Sequence, residues 1–111
     1  MLDTRDKGLL LQIVDRCKRI EDKINECSKT QFINDTDIQE IISFNIFLIG
    51  ELSKKLSDDF INKYNKISWK IVKGMRDKIG HSYGTVDFEI VYDTAKTSVV
   101  ELYNYCKEIL K

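Results

Sequence analysis

Leu9, Leu10, Ile13, Val14, Cys17, Ile20, Ile24 and Cys27 follow one another at steps of three and four within residues 5–28. That period puts them on one stripe of an α-helix, with Asp15, Arg16, Lys18, Arg19, Glu21 and Asp22 turned to solvent. No proline occurs anywhere in the 111 residues, so the strongest helix breaker is missing. The same apolar period returns along the chain. Together these features predict an all-α fold, an antiparallel helical bundle of four to five helices forming a single domain over residues 1–111.

The stretch "SKTQFINDTD" breaks the first helix. Thr36 followed by Gln39 reads as a capping box opening a second helix that runs to about Leu56 through Ile38, Ile41, Ile42, Phe44, Ile46, Phe47, Leu48 and Ile49. Its middle is apolar nearly all round, which predicts a central position. Gly50 costs up to about 1 kcal/mol there relative to alanine, and a close helix crossing is the expected compensation. "SDDF", residues 57–60, opens a short third helix, with Ser57 capping and Asp58 and Asp59 suiting the positive end of the dipole. Ser68 caps the next helix. Trp69, Ile71, Val72 and Met75 supply its core and Gly80 ends it. "HSYGTVD" reads as a loop with Gly84 at a turn. Asp87 starts the last helix, with Ile90, Val91, Ala95, Val99, Leu102, Cys106 and Ile109 or Leu110 inward.

Several function classes are disfavoured by the totals. Lys plus Arg and Asp plus Glu are 18 each, so any anion-binding site must come from local clustering rather than net charge. Cys17, Cys27 and Cys106 show no CxxC spacing. Cys17 and Cys27, ten residues apart on one predicted helix, would sit roughly 15 Å apart, too far to bridge. They are expected to be reduced thiols in a cytoplasmic protein. The start "MLDTRDKGLL" does not have the pattern of a signal peptide, and no apolar stretch approaches the ~18 residues of a membrane span. One histidine without a second histidine or a cysteine nearby gives no metal site, "NDTD" lacks the spaced ligands of a calcium loop, and no glycine-rich phosphate cradle occurs. No cofactor is expected.

The informative chemistry lies in residues 63–83. Lys63, Lys66, Lys70 and Lys73 recur at helical steps, followed by Arg76 and Lys78, with only Asp77 opposing them locally. The lysines alone read most simply as a solvated face. The track leads, however, to His81, the one imidazole of the chain. A guanidinium grips phosphate with paired hydrogen bonds, and an imidazole exchanges protons near neutrality. Five residues on an ideal helix separate two side chains by roughly 140°, so Arg76 and His81 converge only if Gly80 releases the helix. Spacing alone favours a partly buried histidine beside a surface arginine.

"RDKIGHSY", residues 76–83, has the pattern Arg, four residues, His, any residue, Tyr. It resembles the signature of the HepT family, the toxin half of the HepT/MntA toxin–antitoxin systems, in the HEPN superfamily. The setting is similar too. "ISWKIVKGMRDKIGHSYGTVDFEIVYDT", residues 67–94, resembles the family block from its early tryptophan through "GMR" and the histidine loop to the "VD" of the last helix. "FLIGELSKKL", residues 47–56, resembles the family's second-helix stretch. Ser68 stands where the family commonly has proline, and both residues suit a helix start. Asp77 stands where the family often has asparagine; its carboxylate can pair with Arg76 or orient His81, and it lowers the local positive charge.

The resemblance implies a HEPN-like fold and a metal-independent endoribonuclease that acts as a homodimer. Arg76 and His81 would be its catalytic residues, supported by Asp77, with Lys70, Lys73 and Lys78 contacting RNA. Cleavage would leave a 2′,3′-cyclic phosphate and a 5′-hydroxyl. It also implies a partner, an MntA-like nucleotidyltransferase antitoxin that adds AMP to Tyr83. The residues themselves also fit a non-catalytic helical partner or nucleotide-binding subunit of a nucleotidyltransferase, and a plain structural bundle.

Overall fold

A computed structural model describes residues 2–80 and 86–111, with the backbone alone for 78–80. All regular structure among the described residues is helical, which bears out the all-α class. The order is α1 (Thr4–Ile24), α2 (Lys29–Ile33), α3 (Thr36–Ser53), α4 (Asp58–Lys63), α5 (Trp69–Gly80), α6 (Phe88–Lys96) and α7 (Ser98–Leu110). Six of these seven starts carry a side-chain acceptor for the N–H groups that an opening helix leaves without partners: Asp3, Ser28, Asp35, Ser57, Ser68 and Asp87. The capping roles expected of Ser57, Ser68 and Asp87 are therefore present.

The departures have local causes. α1 stops at Ile24, and Cys27 falls past its end rather than on its stripe. Ser28 closes a capping box with Gln31, whose amide oxygen accepts from Ser28 N at 2.8 Å, and this opens the short α2 inside the expected break. The box expected at Thr36 and Gln39 does not form. Asp35 caps α3 instead, accepting from Ile38 N at 3.1 Å. The buried Gln39 amide turns back to donate to the Phe32 and Ile33 carbonyls that end α2, at 3.0 and 2.7 Å. α3 ends at Ser53 rather than near Leu56. The expected single last helix breaks at Thr97, whose hydroxyl donates to the Asp93 carbonyl at 2.7 Å, giving α6 and α7. Ile71, expected in the core, is 65% exposed.

α1 packs on α3 and α7, and α3 packs on α5, so α3 holds the central position its composition implied. Leu10, Ile13, Cys17, Ile20, Phe32, Ile42, Ile46, Ile49, Val91 and Cys106 are fully buried between these helices. Asp6 joins the two ends of the N-terminal half. It is 4% exposed, and its carboxylate accepts from Ser57 N at 2.9 Å and from Ser57 Oγ at 2.6 Å, tying the first turn of α1 to the cap of α4.

Gly50 explains how α3 and α5 approach each other. A Cβ there would stand 3.3 Å from Arg76 Cβ and 3.4 Å from the Lys73 carbonyl, whereas a Cβ at Gly8 or Gly74 meets nothing within 4 Å. Two helix backbones thus meet across one missing side chain, and the crossing fixes where Arg76 leaves α5. Gly74→Ala is expected to stabilise the protein by up to ~1 kcal/mol through helix propensity. Gly50→Val is expected to destabilise it by roughly 1–3 kcal/mol through overpacking. Urea denaturation of the two variants measures both, and equal effects would remove the crossing as the reason for Gly50.

Candidate functional site

α5 is anchored on its inner side by Trp69, Val72 and Met75, each 3% exposed. The Trp69 indole N–H donates to the Tyr64 carbonyl at 2.6 Å, and its ring meets Phe60 edge-on with centroids 5.5 Å apart. With that stripe inward, Arg76 emerges on the solvent side, over α3. Its Nε lies 3.4 Å from Glu51 Oε1, its Nη1 donates to Asp77 Oδ1 at 3.0 Å, and its Cζ lies 5.2 Å from the centre of the Phe47 ring. Lys54 Nζ approaches the same Glu51 oxygen at 3.4 Å. The guanidinium therefore rests on an aromatic ring between two carboxylates. A guanidinium has five N–H donors, and these contacts use the Nε and Nη1 groups. Nη2 has no partner among the described residues.

The basic track is shorter than its spacing suggested. Lys63 belongs to α4, with its ammonium 5.4 Å from the Tyr64 ring centre. Lys66 lies between helices and is bonded to Glu108 at 2.8 Å, which raises the lysine's pKa and lowers that of the glutamate. That leaves α5 with Lys70, Lys73, Arg76 and Lys78, of which Lys70 is exposed and Lys73 half-buried. Nor is Asp77 the sole opposing charge, because Glu51 reaches Arg76 from α3. Asp77 does pair with Arg76, one of the two roles expected of it.

His81, Tyr83 and Gly84 lie outside the described residues, as does the expected re-aiming of His81 after Gly80. The flanks are described. α5 runs to Gly80, and the Asp87 carboxylate caps α6 by accepting from Glu89 N and Ile90 N at 3.0 and 3.3 Å. The helix carrying Arg76 and the helix that follows the motif pack against each other.

Other chemistry is remote or quiet. A surface cavity of about 390 Å³ between the start of α1 and α4 is lined by Arg5, Asp6, Lys55 and Lys63, far along the chain from the motif. No group of residues that could hold a metal ion occurs among those described. Cys17, Cys27 and Cys106 are free thiols. Burial pushes Cys106 up to about 12 and raises Cys17 and Cys27 as well, so none is a ready thiolate near neutral pH. No helix among the described residues is long and apolar enough to cross a membrane.

The family described as Ribonuclease HepT-like matches residues 13–109. This chain belongs to that family. A Methanocaldococcus jannaschii protein provisionally named as an RNase is 32% identical over 95% of this chain and 87% of its own. A second protein with such a name, from Caldanaerobacter subterraneus subsp. tengcongensis, is 31% identical over 92% of this chain and 91% of its own. "Probable ribonuclease HepT" of Thermococcus cleftensis is 30% identical over 86% of this chain and 87% of its own. No solved structure matches significantly. The motif itself, Arg76 to Tyr83, was read from its resemblance to the family signature rather than from spacing. Phe47 and Glu51, the α3 residues that hold the guanidinium, were not singled out, although Gly50 between them pointed to the crossing that brings them there.

Proposed function

We propose that this protein is a metal-independent endoribonuclease toxin of a toxin–antitoxin pair. The observation that carries the proposal is the Arg76 guanidinium, held at the surface of α5 five residues before the histidine of the family motif, with its Nη2 bonded to none of the described residues. RNA supplies its own nucleophile, the 2′-hydroxyl. Its oxygen attacks the adjacent phosphorus, and the bond to the 5′-oxygen breaks. A base must accept the hydroxyl proton, an acid must protonate the departing oxygen, and positive charge must meet the crowded phosphate. Arg76 supplies the charge and His81 the proton transfer. The products are a 2′,3′-cyclic phosphate and a 5′-hydroxyl. Lys70, Lys73 and Lys78 guide the RNA backbone along α5.

One chain brings one histidine to two proton transfers, so the working unit is a homodimer with both His81 side chains at a shared cleft. Support comes from an apolar strip on α3 beside the arginine. Ile41 and Phe44 are 38% and 57% exposed, and Phe47 and Leu48 on the same side are half-buried. A second copy laid on this strip would bring two Arg76 residues near one another.

Tyr83, two residues after His81, is the acceptor of AMP from a nucleotidyltransferase antitoxin. The tyrosine hydroxyl oxygen attacks the α-phosphorus of ATP, pyrophosphate leaves, and the hydroxyl proton is released. Each AMP carries negative charge and bulk into the cleft and repels RNA phosphate.

AMP-free protein is expected to cleave RNA in the presence of a chelator, and His81→Ala and Arg76→Ala are each expected to lose at least ~10²-fold in rate while keeping fold and dimer. Intact RNA after incubation with the folded wild-type protein would favour the non-catalytic partner instead. Intact mass after incubation with ATP and the antitoxin is expected to rise by whole AMP units in wild type and not in Tyr83→Phe. An equal rise in that variant moves the modification elsewhere.

A further inference from the structure

We propose that Glu51 is a positioning residue for Arg76, fixing the guanidinium against the body of the fold so that its Nη2 edge meets the scissile phosphate. The proposal rests on the nuclease function above and adds to it a residue on another helix. Arg76 has two carboxylate neighbours, and they do different things. Asp77 is its neighbour on α5, so their bond at 3.0 Å is a contact within one helix. Glu51 is on α3, and its Oε1 stands 3.4 Å from Arg76 Nε across the crossing that Gly50 permits. Phe47, one turn earlier on α3, places its ring centre 5.2 Å from the guanidinium carbon. Lys54, from the next turn, approaches the same Glu51 oxygen at 3.4 Å and restrains the glutamate in its turn. α3 thereby presents a seat for Arg76: a ring beside the guanidinium carbon, a carboxylate at Nε, and a lysine behind the carboxylate.

The arrangement carries a cost that a binding role alone would not explain. An acidic side chain beside a phosphate-binding arginine repels RNA and competes with the phosphate for donors. Orientation offsets that cost, because a long, freely rotating arginine contributes to the transition state only in the fraction of conformations that face it. Removing the Glu51 charge should leave RNA binding unharmed or tighter while slowing the chemical step.

The test is Glu51→Gln, with wild type and Arg76→Lys beside it. A kcat lower by ~10-fold or more, with KM unchanged or reduced and an unaltered Tm, is expected. A raised KM at constant kcat, an unchanged kcat, or a loss that tracks the unfolded fraction overturns the proposal. A second readout does not depend on turnover. The Arg76 Nε–H signal in ¹H–¹⁵N spectra, identified by its disappearance in Arg76→Lys, is expected to be as rigid as the backbone in wild type and mobile in Glu51→Gln. Equal rigidity in both proteins also overturns it. An inactive wild type instead removes the nuclease function, an outcome distinct from an active wild type whose kcat ignores Glu51.

Discussion

The contact between α3 and α5 at Gly50 is the constraint on which the rest of the molecule depends. Two helix backbones meet where a side chain is missing, with only 3.3 Å between the position of an added Cβ and Arg76 Cβ. Packing at that distance leaves little freedom of rotation or slide. α5 is clamped from its other side by the buried Trp69, Val72 and Met75. The point at which Arg76 leaves α5 is consequently set by the bundle. Fold and candidate site are set by one crossing.

Charge around Arg76 is arranged with restraint. The chain is neutral overall, and the lysines at the near end of the track are partly engaged, Lys66 by Glu108 in particular. Glu51 and Asp77 then bracket the guanidinium itself. A strongly basic surface would bind any polyanion, tightly and without direction. Here the attraction is modest and the orientation is specific. That balance suits a nuclease whose rate depends on placing one phosphate.

Much of this was legible in the sequence, for identifiable physical reasons. The stripe of α1, the caps at Ser57, Ser68 and Asp87 and the meaning of Gly50 follow from helical period, orphan N–H groups and the steric uniqueness of glycine, all local properties. The failures came where a competing hydrogen bond or the packing of neighbouring helices decided. Gln39 could have closed a capping box with Thr36, but the open carbonyls of α2 claimed its amide. Thr97 sits in an unbroken apolar period, yet its hydroxyl bonds back to Asp93 and the helix divides. Ile71 has the right spacing for the core but falls on an exposed face of α5. Asp6, the buried link to Ser57, carried no local signal of that role. At the site, the motif was visible because it is contiguous. Glu51, on another helix and 25 positions earlier, was not, because no local rule connects it to Arg76.

The most direct measurement is a structure of the protein bound to an RNA whose 2′-hydroxyl is methylated at the cleavage step, so that the nucleophile is blocked and the complex persists. The phosphate that follows the methylated sugar should accept a hydrogen bond from Arg76 Nη2, with Glu51 still at Nε and a His81 ring within reach of the 2′-oxygen. RNA lying elsewhere on the molecule, with Arg76 still closed between Glu51 and Asp77 and touching no phosphate, would contradict the assignment.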